Sequence, residues 1–338
     1  MFEAELCSYT NAKYCSVVAN ASVALKLAYM ALEVGQGDIV WIANNTFAST
    51  ATSAISCGAR IVPIEICLDT FNFDLNILDW MLRDALENDC LPKVVAVVDF
   101  GGLPSASSEL HQMSKTYGFR ILVDSAHGIG SRIGNNQSGS NRYSDITVFS
   151  FHAIKVITTG EGGAVLTNNL KFHTKVKHLS TTARSGYEYV HDEPAFNYRM
   201  TNVQAAIGCA QLERFKEFIE SKKIINEYYK KNINSTRVAF PKNENSSHWL
   251  SYLIAKNLKK HEIYSLYSFA SDKGVYLRPF WVPMHKQPPY KKSLSSTLTN
   301  SKKIYSKVVT LPSSTSLKKT DLKYIVTVIN SYLESLDG

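Results

Sequence analysis

The chain has 338 residues, 45% of them hydrophobic and 20% charged, an ordinary globular composition with room for one large domain and a smaller one. No apolar run approaches the length that spans a bilayer and the opening Met-Phe-Glu-Ala-Glu-Leu carries no basic segment before an apolar one, so neither membrane insertion nor a secretory leader is expected and the protein is read as cytoplasmic. The formal charge of +8 comes largely from dispersed lysine pairs in the C-terminal third, such as Lys222-Lys223 and Lys302-Lys303, which predicts a solvated basic surface with some attraction for phosphorylated ligands and no nucleic-acid partner.

In chain order, the apolar spacing predicts helix Ser22-Leu32, strand Ile39-Ile42, helix Phe47-Ser56, strand Ile61-Ile64, helix Leu75-Leu86 and strand Val94-Asp99. Helix Ser107-Tyr117 and strands Phe119-Asp124, Asp145-Phe151 and Ala164-Leu166 follow. Such alternation from Ala19 to Thr167 argues for an α/β layer on a mostly parallel sheet. A long helical pattern from Asn202 towards Tyr229 closes a large domain, 1–230. Residues 231–338 read as a smaller α+β domain, with strand Trp249-Ile254, helix Ile263-Lys273, strand Val275-Leu277 and an amphipathic helix over Asp321-Leu336. The Ser- and Lys-rich stretch Lys291-Lys303 reads as a surface loop. The six cysteines form no CxxC pair and have no histidine at zinc-like spacing, so they read as small core fillers and no metal site is expected.

Lys155 stands out by its setting. Apolar residues precede it (Val148, Phe149, Phe151), and the glycine-rich return Gly160-Glu-Gly-Gly163 leads into apolar Ala164-Val-Leu166. A lysine delivered into an interior cleft loses hydration, its pKa falls and its lone pair becomes available to trap a carbonyl. Asp124 closes the strand Arg120-Ile-Leu-Val-Asp124, at the edge of a parallel sheet where functional groups gather. A lysine to hold an aldehyde and a carboxylate to keep a ring nitrogen protonated are what pyridoxal 5′-phosphate requires. Its phosphate needs a cradle, which the backbone N–H groups of Ala21 and Ser22, the Ser22 hydroxyl and the dipole of the helix they begin would supply, with Ser150 adding a second hydroxyl. Phe47 could lie on the pyridine face and His127 could reach the phenolic oxygen.

The motifs Ala21-Ser22-Val-Ala-Leu25, Gly35-Gln-Gly-Asp38, Thr46-Phe47, Gly58-Ala59, Asp124-Ser-Ala-His127, Ser150-Phe-His-Ala-Ile-Lys155, Gly160-Glu-Gly-Gly163, Asn197-Tyr-Arg-Met200 and Gln204-Ala-Ala206 run through nearly the whole chain. In this order and spacing the chain resembles the sugar aminotransferases of the DegT/DnrJ/EryC1/StrS family. The resemblance implies the fold-type-I, aspartate aminotransferase-like architecture. It also implies Lys155 as Schiff-base lysine, Asp124 on the pyridine nitrogen, His127 on the phenolic oxygen, and Ser22 and Ser150 on the phosphate. Asn197 is implied to reach the phosphate of a neighbouring subunit, so that the active unit is a homodimer with shared sites.

The segment Leu277-Arg278-Pro-Phe-Trp281-Val-Pro-Met-His285-Lys-Gln287-Pro-Pro-Tyr290 resembles the branch that aminates nucleotide-linked 4-keto-6-deoxy sugars for surface glycans. His191-Asp-Glu and Arg199-Met-Thr-Asn202 lean towards a UDP-linked, N-acetylated sugar. The resemblance thus makes Arg199, Arg278, His285 and Tyr290 the expected substrate-binding residues, L-glutamate the amino donor and pyridoxamine phosphate the alternate cofactor form. No counterpart of the family's leading helix and glycine turn precedes Phe2-Glu3, so altered substrate fit at the entrance is expected. A C3-keto-sugar aminotransferase, a pyridoxamine-dependent sugar dehydratase of the same family and a non-catalytic paralogue are the alternatives. The dehydratases typically carry histidine at the position of Lys155.

Overall fold

Short β-branched strands, most of them followed by a turn and an apolar-faced helix, build a seven-stranded sheet covered on both sides. The structure is a computed structural model describing residues 1–337 apart from 69, 243 and 292–297. It opens with α1 (Phe2–Thr10), β1 (Tyr14–Val18), α2 (Ala21–Ala31), β2 (Ile39–Ala43), α3 (Ala48–Ser56), β3 (Arg60–Ile64) and α4 (Leu75–Glu87). It continues through β4 (Val94–Val98), α5 (Ser108–Tyr117), β5 (Arg120–Asp124), the small hairpin β6 (Arg132–Ile133) and β7 (Asn136–Gln137), β8 (Ile146–Ser150), β9 (Gly163–Thr167) and α6 (Leu170–Ser180). A second hairpin, β10 (Arg184–Ser185) and β11 (Val190–His191), precedes α7 (Asn202–Glu213) and α8 (Phe215–Asn232). The C-terminal part holds β12 (Val238–Ala239), β13 (Ser251–Ala255), α9 (Lys260–Ser271), β14 (Arg278–Pro279), α10 (Thr299–Tyr305), β15 (Val308–Leu311) and α11 (Lys319–Ser335).

The large sheet has the order β3-β2-β4-β5-β8-β9-β1. Strands β3 to β8 are parallel, and β9 runs against both of its neighbours. Alternate residues face opposite sides: Val40, Ile42, Val94 and Ala96 join the core under α2, whereas Trp41, Val95 and Val97 join the core under α4 and α5. A four-stranded antiparallel sheet, β12-β13-β15-β14, packs with α8, α9 and α11 around Tyr229, Leu253, Leu266, Val309 and Ile329. A fourth cluster joins Phe2 and Leu6 of α1 to Phe151 and Trp249.

The register brings functional strand ends to one edge. Asp124 lies opposite Val98 and Val148, and Gly163 lies opposite both Ser150 and Val18. Gly163 also abuts the backbone of Asn20 and Ala21, where a Cβ would sit 2.6 Å from the Asn20 carbonyl carbon and oxygen and 2.8 Å from the Ala21 nitrogen.

Several elements depart from the sequence reading. Helix α1 and strand β1 precede Ala19, where no element is expected from sequence; both are short, and α1 packs Phe2 and Leu6 towards Phe151 while β1 pairs with β9. Lysines and histidines mask the Phe172, Val176 and Leu179 stripe of α6. The pattern from Asn202 to Tyr229 divides into α7 and α8 at Arg214. Val275 and Leu277 are buried, but strand pairing falls on Arg278–Pro279, and the four-residue β15 between them and α11 is additional. Within Lys291-Lys303, the turn from Thr299 is helical, and residues 292–297 lie outside the described residues. Of the cysteines only Cys15 and Cys209 are buried, and Cys90 is exposed.

Gly163→Ala is expected to cost about 1–3 kcal/mol, because the new methyl meets backbone and not a movable side chain. Denaturant unfolding of the two proteins side by side checks this, and equal midpoints would contradict it.

Candidate active site

The loop from Phe151 to Gly162 is closed by backbone bonds from Phe151 to Gly162 (2.8 Å), from Thr159 to Phe151 (2.9 Å) and from Lys155 to His152 (2.9 Å), and anchored by buried Val156 and Ile157. This holds Lys155 half-buried on the wall of a cavity of about 490 Å³ at the sheet edge. The same cavity is lined by Ala21, Ser22, Phe47, Asp124, His127 and Ser150. Burial pushes the Lys155 amine down to about 8, partly opposed by the Asp124 charge.

Asp124 is buried, and one oxygen accepts from the Thr50 hydroxyl at 2.6 Å while the other accepts from the Ala126 amide at 3.2 Å. Since Thr50 donates its proton to Asp124, the Thr46 hydroxyl donates to Thr50, also at 2.6 Å. Burial pushes the Asp124 carboxyl upward; Thr50, Ala126 and the nearby Lys155 ammonium work against that. A cation placed against this carboxylate would be stabilised by it.

The opposite wall is a helix start. Asn20 caps α2 by accepting from the Val23 amide at 2.9 Å, leaving the Ala21 and Ser22 amides as the first free donors of the helix. The Ser22 and Ser49 hydroxyls are 2.6 Å apart, and the buried Ser150 hydroxyl accepts only a long bond from His152. The absence of a side chain at Gly163 is what lets these groups approach. An anion fits the donors at this end, and an aldehyde and a protonatable ring nitrogen fit Lys155 and Asp124. Phe47 is 56% exposed, so it serves as cavity wall and not as core.

His127 is buried. Its Nδ1 accepts a long bond from the Gly101 amide (3.4 Å), which places the proton of the neutral ring on Nε2. Burial, reinforced by the charge of Lys155, pushes its pKa well below the ordinary histidine value. Trp249 stacks on its ring at 3.9 Å between centroids, with 20° between planes. The same indole covers the Lys155 amine at 4.1 Å and donates from Nε1 to the Ile154 carbonyl at 2.7 Å. Trp249 is absent from the residues expected by sequence, as are Trp281, Thr50, Glu161 and His152, all at or around this cavity. Nothing in the spacing of Trp249 connects it to Lys155; Thr50 is hinted at only by its place one turn after Thr46.

Five expected residues do not line the cavity of their own chain. Asn197 and Arg199 are exposed, joined by a 3.0 Å bond from Arg199 Nε. Arg278 is exposed on β14. His285 meets Asn44 through Nδ1 and the backbone amide, and the Tyr290 hydroxyl lies 2.6 Å from that of Thr52, so both bind their segment to the end of β2 and to α3.

A sequence model of the DegT/DnrJ/EryC1/StrS aminotransferase family matches residues 1–330. The chain belongs to this family. The aminotransferase is 30% identical to the GDP-perosamine synthase of Escherichia coli O157:H7, over 98% of this chain and 89% of that protein. It is also 30% identical to the UDP-4-amino-4,6-dideoxy-N-acetyl-beta-L-altrosamine transaminase of Campylobacter jejuni strain 81-176, over 99% and 89%. The PLP form of the sugar aminotransferase Spr1654 from Streptococcus pneumoniae superposes with a TM-score of 0.89 at 25% identity, covering 99% of this chain and 91% of that one. Among the described residues, no helix of the aminotransferase is long and apolar enough to cross a membrane.

His127 is predicted to be neutral, protonated on Nε2, at pH 6.5, where an ordinary histidine is half charged, which nitrogen-detected NMR of the labelled ring reads directly. Its folded pKa is depressed, so the unfolded chain binds more protons once pH falls below the ordinary value of 6.5. Stability therefore decreases with acidification below that point. His248, pushed down to about 4 by burial, adds in the same direction.

Proposed function

We propose that this chain binds pyridoxal 5′-phosphate and moves an amino group from L-glutamate to a nucleotide-linked 4-keto-6-deoxy sugar, with a UDP-linked, N-acetylated sugar favoured. The observation that carries the reading is the single cavity shared by a partly desolvated lysine amine, a buried carboxylate on a threonine relay and the open start of α2. Lys155 would hold the cofactor's aldehyde, Asp124 its ring nitrogen, and the Ala21 and Ser22 amides with the Ser22 and Ser150 hydroxyls its phosphate. His127 would face the phenolic oxygen and Phe47 the ring. The bound cofactor supplies the electron sink that lets a carbon give up its α-proton.

The chain's own groups handle the protons. With its amine pushed to about 8, roughly a tenth of Lys155 is neutral at pH 7, enough to act as the base that takes the α-proton of L-glutamate. The protonated amine returns a proton to the sugar carbon in the second half-reaction. Asp124, whose charge the Thr50 and Ala126 donors favour against its burial, would keep the ring nitrogen protonated. The stacked His127 and Trp249 cover one side of the amine.

The relatives support the sugar class: proteins named for a UDP-linked N-acetylated dideoxy sugar and for GDP-perosamine match this chain over nearly its full length. The reading takes residues 1–230 as the cofactor-binding unit and 231–338 as the smaller one. It also takes two copies as the active unit, with Asn197 serving the neighbour's phosphate. In support, Asn197 is exposed and does not line its own cavity, and the adjacent Phe196 (61%) and the hairpin aromatics Tyr187 (105%) and Tyr189 (82%) are exposed as well, apolar surface that suits a protein partner. Arg199, Arg278, His285 and Tyr290 would then act on substrate from the cavity's surroundings.

Purified protein loaded with pyridoxal phosphate is expected to show visible absorption that bleaches with L-glutamate and returns with a 4-keto sugar nucleotide. Lys155→Ala should lower turnover by about 10²–10⁴-fold or more. A panel of UDP-, dTDP- and GDP-linked keto sugars, scored for amino-sugar product, fixes the substrate; repeated turnover by the Lys155→Ala protein would refute the assignment.

A further inference from the structure

Lys222 of α8 is buried, only 6% exposed, and no carboxylate among the described residues forms a salt bridge with it. Its amine donates instead to two backbone carbonyls, that of Trp249 at 3.0 Å and that of Ser313 at 2.6 Å. An unpaired ammonium in such a place is costly, and an apolar residue would pack without that cost if filling space were all that was needed. Burial accordingly pushes the Lys222 amine down to about 8. The carbonyls it binds lie just before β13 and just after β15, and Ser313 joins the two segments again by accepting the Ser251 amide at 2.8 Å.

We propose that Lys222 is a positioning residue for the Lys155 amine and acts through Trp249. This rests on Lys155 being the cofactor-binding lysine. Trp249 is a plate fastened at two points, its backbone carbonyl by Lys222 and its indole Nε1 by the carbonyl of Ile154, the neighbour of Lys155. Between those fastenings its ring lies 4.1 Å from the Lys155 amine and 3.9 Å from the His127 ring. Titratable groups facing the amine are Asp124 and His127, with His152 and Glu161 also on the cavity wall. Releasing the backbone of Trp249 lets the plate tilt, which uncovers more of the half-buried amine and increases its hydration. The amine then stays protonated to higher pH and meets an aldehyde less often. A residue on a helix of the C-terminal core thereby sets the reactivity of a lysine in the loop between β8 and β9.

The experiment is a mutant cycle read by capture of pyridoxal phosphate at pH 8, using the rate at which the visible absorption of the lysine adduct appears. Wild type, Lys222→Met, Trp249→Leu and the double variant are compared, each checked for fold by circular dichroism. Each single change is expected to slow capture about tenfold, and the double variant should be no slower than Trp249→Leu alone. Wild-type capture by Lys222→Met, or losses that multiply in the double variant, would overturn the proposal, since a general packing role adds to any other lesion. Should Lys222→Met not fold, the cycle is run with Lys222→Arg on the same criterion. Absence of capture by wild type, or equal capture by Lys155→Ala, would instead refute the site reading itself.

Discussion

Gly163 begins β9 at the point where three pieces of chain must touch, opposite Ser150 on one side and Val18 on the other, with the Asn20–Ala21 backbone against its α-carbon. Remove that contact and the start of α2 separates from the lysine loop. Because β9 runs against its neighbours, the chain leaves β8 at the functional edge, forms the Lys155 loop and re-enters the sheet at that same edge. The loop is therefore held at both ends by strand pairing, and β1, whose end continues into α2, lies one strand further on. Parallel strands β2 and β5 add Phe47 and Asp124 along the edge, as parallel sheets place functional groups at their carboxyl ends.

The electrostatics of the cavity follow from burying two opposite charges together. Burial alone would neutralise both Lys155 and Asp124, raising the acid and lowering the amine. Each partly restores the charge of the other, but the tasks proposed for them differ: the acid would have to remain anionic and the amine to be neutral part of the time. The structure separates them by hydrogen bonding. Asp124 receives the Thr46–Thr50 relay and the Ala126 amide, all donors, whereas Lys155 faces an indole and a neutral imidazole. Trp249 carries this arrangement towards the C-terminal core through the buried amine of Lys222.

What was legible in the sequence is what lies at strand ends. Lys155, Asp124, Ser150 and the Ala21-Ser22 helix start could be read because a short apolar strand followed by a polar residue and a turn defines an edge, and one sheet has one such edge. The parallel α/β layer was legible for the same reason. Trp249 was not, because it reaches the amine through tertiary packing of the C-terminal part and leaves no periodic trace. Nor was α6, whose buried Phe172, Val176 and Leu179 are diluted by basic residues on its solvent face. In the Arg278–Tyr290 stretch the resemblance points to substrate, while within the single chain His285 Nδ1 meets Asn44 and the Tyr290 hydroxyl meets Thr52. Asn197 marks a limit of sequence reading: it is exposed and does not line the cavity of its own chain, and the role proposed for it across a subunit boundary would leave no local sign in that chain.

The chemistry rests on Lys155 being the residue that holds the cofactor. Loading the full chain with pyridoxal phosphate, reducing it with borohydride and mapping the modified peptide by mass spectrometry tests this most directly. The expected result is a single phosphopyridoxyl group on the peptide carrying Lys155, and none on that carrying Lys222. A label on another lysine, or no label on a folded and loaded protein, would contradict it.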